Sequence, residues 1–222
     1  ILTTCIFIIC TIFCGVSNNI STSNGWSISS INLLNPDVYI NQHHSVLHTV
    51  ILGIIFKFGQ ILGSFTWGAA IYVILQVLLL VIGFSLMIKY MCKLKINEYI
   101  IILSLLFVGI NPTVVTYAIC AIKDTPSAIF NLFYVIFLLQ LVRNFDSIYK
   151  SKFRVIMFIF VIMMVLLLRN NGIYTYLGSF VWLFFVYKNK WKKLLLTFMI
   201  PLLIFGTYSK ILLPSLDISK GS

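Results

Sequence analysis

Apolar residues in this chain gather in several long runs. The runs cover residues 1–16, 67–88, 98–119, 126–143, 154–168, 173–187 and 194–213. They approach or exceed the roughly 18–20 apolar residues needed to cross a bilayer. Backbone groups in lipid must be satisfied internally, so such runs predict helices and not open sheet. One further helical stretch, 44–63, carries Lys57 near its middle. A central lysine costs about 2.5–3.5 kcal/mol on insertion scales, which predicts a partly embedded or re-entrant helix with both ends on one side. The expected fold is therefore all-α. It is a polytopic transmembrane helical bundle of about seven spanning helices plus one re-entrant or interfacial helix.

Composition agrees with that class. Of 222 residues, 60% are hydrophobic and 9% charged, against about 25% charged in soluble domains. The net charge of +11 is organised along the chain. Lys89, Lys93 and Lys95 fill one connection. Arg143, Lys150, Lys152 and Arg154 fill a second, and Lys188, Lys190, Lys192 and Lys193 a third. Every second connection is basic, as the positive-inside rule requires when these three face the cytoplasm. No basic stripe interleaves with aromatics on a polar face, which argues against a nucleic-acid partner. The five cysteines show no CxxC or zinc spacing, so no disulfide framework is expected. One integral membrane domain is expected over 1–222, with a large extracytoplasmic loop at about 17–66. The chain opens on Ile-Leu-Thr-Thr within an apolar run and reads as a fragment of a longer protein.

That orientation puts three polar motifs on the extracytoplasmic side: "NPDVYINQHHSVLHT", "IKDTP" and "RNNG". The first holds all three histidines, His43, His44 and His48, just after Asp37. His44 and His48 are four apart and share a helix face. They can bind a substrate or a metal, or simply hydrogen-bond at the interface; the glutamate of an HExxH zinc motif is absent. In "KDTP", Thr125 before Pro126 predicts a helix N-cap with proline at the first helical position. Asp124 would sit by the positive end of that helix dipole. Lys123 beside helix N–H groups suits an anion, or it snorkels to the interface. In "RNNG", Arg169 ends one helix and Gly172 opens the next, with Asn170 and Asn171 expected to make a tight reversal through positive φ. Arg169 either offsets the helix dipole or grips a phosphate with its planar fork.

These residues carry a resemblance. The order "HHSVLHTVILGIIFKFG", a helix with Gln76, "KDTPSAIF" and "RNNGIY" resembles bacterial membrane proteins of the DUF6020 type, relatives of the GT-C glycosyltransferases. The resemblance implies a GT-C-like bundle whose first extracytoplasmic loop carries an acid acting as base or metal ligand. The donor it implies is a sugar on a polyprenyl phosphate in the membrane lipid, and the acceptor a glycan or other cell-envelope component. The family's His-His-Pro-x-x-His-Thr pattern falls on His43, His44, Ser45, His48 and Thr49, with Ser45 in place of the proline. Its Lys-Asp pair falls on Lys123 and Asp124, and its Arg/Lys-Asn-Gly turn on Arg169 to Gly172. The pattern's acid lies upstream, where this chain reads "SNGWSISSIN" with no carboxylate. Either Asp37 takes that place or catalysis is impaired.

The functional expectation is a lipid-phosphosugar-dependent glycosyltransferase in the cell membrane with an extracytoplasmic active face. Asp37 would be the catalytic base or would hold a divalent metal, Mg or Mn. Lys123 and Arg169 would stabilise the departing phosphate. His43, His44, His48, Asp124, Asn170 and Asn171 would line the substrate site, with Trp26 as a platform for a sugar ring. A transporter or flippase for lipid-linked sugars needs the same cations but no base. A non-catalytic remnant of the family is the third reading.

Overall fold

A computed structural model describes residues 45–120, 122–169, 171–212 and 214. Every regular element among them is helical: α1 (Val46–Ile61), α2 (Phe65–Lys93), α3 (Glu98–Ile110), α4 (Pro112–Ile119), α5 (Asp124–Arg143), α6 (Phe145–Tyr149), α7 (Lys152–Leu168), α8 (Gly172–Val186) and α9 (Trp191–Thr207), with a 3-10 turn at Lys188–Lys190 and a π turn at Tyr208–Leu212. They form two compact units, and α1 and α5 contribute residues to both.

The first unit covers Thr49–Ile129. Leu52 and Phe56 of α1 pack on Tyr72 of α2, flanked by Ile55 and Ala69. Two glycines let these helices touch. A Cβ on Gly59 would collide with the backbone of Gly68, and one on Gly68 would come within 2.8 Å of the Phe56 Cα. The reversal between them uses Gly63 at φ +113°, a conformation costly for any residue with a Cβ. The run 98–119, expected as one helix, is two. Proline at 112 removes a backbone donor and restricts the residue before it. The chain breaks there by 57°, and the Asn111 side chain recaps the second half by accepting from Thr113 N–H at 3.0 Å. Both α3 and α4 pack against α2.

The second unit comprises 45–48 and 130–214 of the described residues. Its centre is α7, which buries Phe158, Val161, Ile162, Val165, Leu166 and Leu168 against α8 and α9. An aromatic chain runs through it, Tyr134 to Phe158 at 6.1 Å and Phe158 to Phe198 at 5.9 Å between ring centroids. Buried hydroxyls need partners, and they have them: Tyr176 donates to the Phe198 carbonyl at 2.6 Å, while Tyr134 is hydrogen-bonded to Ser179.

Among the described residues, three helical stretches are long and apolar enough to cross a membrane, Thr66–Lys93, Asp124–Arg143 and Lys188–Ile211, or four if the bent α3–α4 pair is one span. The sequence reading expected about seven over the whole chain. Two of the expected spans, α7 and α8, are short for that role. With 17 residues in α7 and 15 in α8, a rise of 1.5 Å per residue gives about 26 and 23 Å, less than the ~30 Å hydrocarbon core. The 16-residue α1, expected as re-entrant and not as a span, is also shorter than a bilayer crossing. The expected span 1–16 lies outside the described residues.

Candidate functional site

In the second unit, Ser45 joins two of the polar motifs. It precedes α1 in the N-cap position, where a hydroxyl accepts from an early helix N–H; here the donor is His48 N–H at 3.4 Å. The same hydroxyl donates to the Leu167 carbonyl at 2.7 Å, one of the last four of α7 that have no intrahelical donor. Proline, which the resemblance places at this position, could make neither bond. His48 is almost fully buried, at 1% exposure. The first turn of α1 is thus tied to the end of α7.

Two residues beyond Leu167, Arg169 is the exposed C-cap of α7, with extended backbone at φ −147° and ψ 126°. Its carbonyl accepts from Gly172 N–H at 2.9 Å. The expected positive-φ reversal is not how the turn works at its described positions. Asn171 is right-handed at φ −72° and ψ −11°, and Gly63 is the glycine with positive φ among the described residues. Glycine at 172 serves close approach instead, because a Cβ there would strike the Val165 carbonyl. His48, Ser45, Arg169 and Asn171 are thus brought to one end of this unit. Asp37, His43, His44 and Asn170 lie outside the described residues, as does Trp26.

Lys123 and Asp124 belong to the first unit. Here α5 begins at Asp124, one residue before the expected cap. The Lys123 carbonyl accepts the first helical bond, from Ser127 N–H at 3.2 Å. Thr125 is therefore inside the helix, and its hydroxyl donates to the Tyr117 carbonyl at 2.7 Å. Asp124 lies in the first turn of α5, where the helix dipole favours a carboxylate.

The sequence reading gave Gln76 no role, yet this side chain organises the turn before α5. It is 3% exposed, and its Nε2 donates to the carbonyls of Tyr117, Ala118 and Cys120 at 3.2, 2.9 and 3.0 Å. These carbonyls close the broken helix α4. Its Oε1 is buried and meets no donor among the described residues. A lone amide within a 29-residue apolar helix was the available signal, since polar groups inside spans mark interhelical ties or function. Burial pushes the Cys120 thiol above its ordinary pKa, which makes it a poor nucleophile.

No group of three His, Cys, Asp or Glu able to hold a metal is present among the described residues. The expected metal ligand, Asp37, falls outside them.

Together these features define a helical protein in which, among the described residues, three or four helices are able to span a membrane. Residues 34–222 match the family of unknown function DUF6020. The chain belongs to that family. No curated protein and no solved structure matches it.

Proposed function

We propose that this protein is a glycosyltransferase of the cell membrane, GT-C-like, that moves a sugar from a polyprenyl-phosphate-linked donor to an extracytoplasmic glycan or cell-envelope acceptor. The observation that carries the reading is the Ser45–Leu167 hydrogen bond, which holds the His48 end of α1 beside the turn bearing exposed Arg169. A planar guanidinium at an exposed turn suits phosphate oxygens in a bidentate fork. The resemblance of the ordered motifs to GT-C relatives supplies the reaction class.

In this reading the Asp37 carboxylate takes the proton of the acceptor hydroxyl. The acceptor oxygen bonds to the anomeric carbon as the bond from that carbon to the phosphate oxygen breaks. Polyprenyl phosphate leaves with the electron pair, and Arg169 stabilises its charge. Lys123 offers the same chemistry from the N-terminus of α5, beside Asp124. His43, His44 and His48 orient the sugar or phosphate, with Asn170 and Asn171 as further donors. In a metal-dependent variant, Asp37 would hold Mg or Mn, and the ion would supply charge neutralisation at the phosphate.

The test is release of polyprenyl phosphate by purified, reconstituted protein given donor and cell-envelope glycan. Release that Asp37→Asn abolishes, with donor binding retained, supports the reading. No release by the wild type under these conditions contradicts it. A second reading, a flippase for lipid-linked sugars, is favoured by the α3–α4 pair bent by 57°, because transporter sites often use broken helices. It predicts transbilayer movement of intact donor and no release.

A further inference from the structure

The basic connections 143–154 and 188–193 carry eight Lys and Arg against a single acid, Asp146. In the second unit they are built into one platform. Lys190 pairs with Asp146 at 2.7 Å and lies over the Phe145 ring at 5.0 Å. Lys193 lies over the Tyr149 ring at 5.9 Å. Beneath these cations, Phe145 stacks on Tyr149 at 4.7 Å and meets Tyr187 at 4.9 Å. The Tyr149 hydroxyl is hydrogen-bonded to Thr197 at 3.1 Å, and the Tyr187 hydroxyl donates to the Val142 carbonyl at 2.7 Å. The rings fix both connections on α9 and on the end of α5, so the lysines project from a rigid floor.

Depth follows from the flanking helices. One candidate span ends at Arg143 and another begins at Lys188. A helix pair that crosses the bilayer leaves the residues at those ends at headgroup level. Exposed Trp191 starts α9 there, where indole rings concentrate. Asp146 itself is held below the usual carboxylate range, first by its hydrogen bond from Lys190 and further by Lys193 and Lys150 nearby. It remains an anion and occupies one of the lysines.

We infer that this platform is a binding site for the headgroup phosphate of an anionic membrane phospholipid. Juxtamembrane lysines contribute about 1 kcal/mol each toward anionic lipid, and the excess of cations over Asp146 leaves several uncompensated. Unlike a free basic loop, the aromatic floor holds Lys190 and Lys193 against its rings. The inference is independent of glycosyl transfer.

The experiment uses full-length protein in which Trp191 is the sole tryptophan (Trp26→Phe, Trp67→Phe, Trp182→Phe). It is reconstituted in phosphatidylcholine vesicles containing brominated phosphatidylglycerol or, separately, brominated phosphatidylcholine. Quenching of Trp191 should report a preference of at least about fivefold for phosphatidylglycerol, ~1 kcal/mol, that declines at high salt. Lys190→Gln combined with Lys193→Gln should markedly reduce the preference, because it removes the two cations held against the aromatic floor. Asp146→Asn should increase it by freeing Lys190, a change of opposite sign that a folding defect would not produce. Equal quenching by both lipids would overturn the inference, as would an unchanged preference in the double variant. Full displacement by inorganic phosphate would also overturn it, marking a site for free anions.

Discussion

Ser45 and Leu167 lie 122 residues apart and are joined by one hydrogen bond of 2.7 Å. The bond satisfies a carbonyl at the end of α7, while the same oxygen caps α1 through His48 N–H. Removing the hydroxyl leaves both groups without it, at a cost of about 1–3 kcal/mol for a buried unsatisfied polar atom. Ser45→Ala should therefore lower the thermal unfolding midpoint in detergent, and Ser45→Thr should restore most of it. An Ala variant as stable as the wild type would show that the bond does not hold the two motifs together.

Gly172 and Val165 make the second close contact at this end. Because a Cβ at 172 meets the Val165 carbonyl, Gly172→Ala should cost about 1–3 kcal/mol through forced displacement of α8 from α7. A Cβ added at Gly178, on the same helix, would meet nothing within 4 Å. Gly178→Ala should be neutral or slightly stabilising, since alanine is the better helix former. Equilibrium unfolding of the two variants separates a packing requirement from a general intolerance of α8 to substitution.

Gln76 makes a prediction within the first unit. Its Nε2 satisfies three carbonyls at the end of α4, so Gln76→Leu should loosen the segment that leads to Lys123 and Asp124. Cys120 reports on it directly. With Cys5, Cys10, Cys14 and Cys92 replaced by Ser, maleimide should modify Cys120 several times faster in the Leu variant than with Gln76 present. Equal rates would mean that the amide is not what holds this end of α4.

Much of the fold was legible because hydropathy and helix punctuation speak plainly here. The reading placed one helix to 168, Arg169 after it and a second helix from about 173. The structure ends α7 at Leu168 and begins α8 at Gly172. Other features were hidden for physical reasons. Apolar residues on both sides of Asn111-Pro112 masked the break, since hydropathy does not register a missing backbone donor. Hydropathy alone does not set the lengths of α7 and α8, which are bounded by Arg169, Gly172 and the basic connections. Gln76 was visible as a polar residue, but its role depends on carbonyls 41 to 44 positions away, which no local pattern reveals. The platform at Asp146 and Lys190 was legible only as charge, because the aromatic floor forms when two distant connections meet.

The central claim is that the turn after α7 receives a lipid-linked phosphate, and donor binding to Arg169 variants tests it most directly. A charged hydrogen bond is worth about 1.5–3 kcal/mol. With polyprenyl-phosphate sugar titrated into reconstituted protein, Arg169→Ala should bind roughly ten- to a hundredfold more weakly while remaining folded. Arg169→Lys should recover only part of the loss, because an ammonium keeps the charge but lacks the fork. Asp37→Asn should leave binding intact. If folded Arg169→Ala binds the donor with wild-type affinity, Arg169 is an interfacial anchor and the account of this site is wrong.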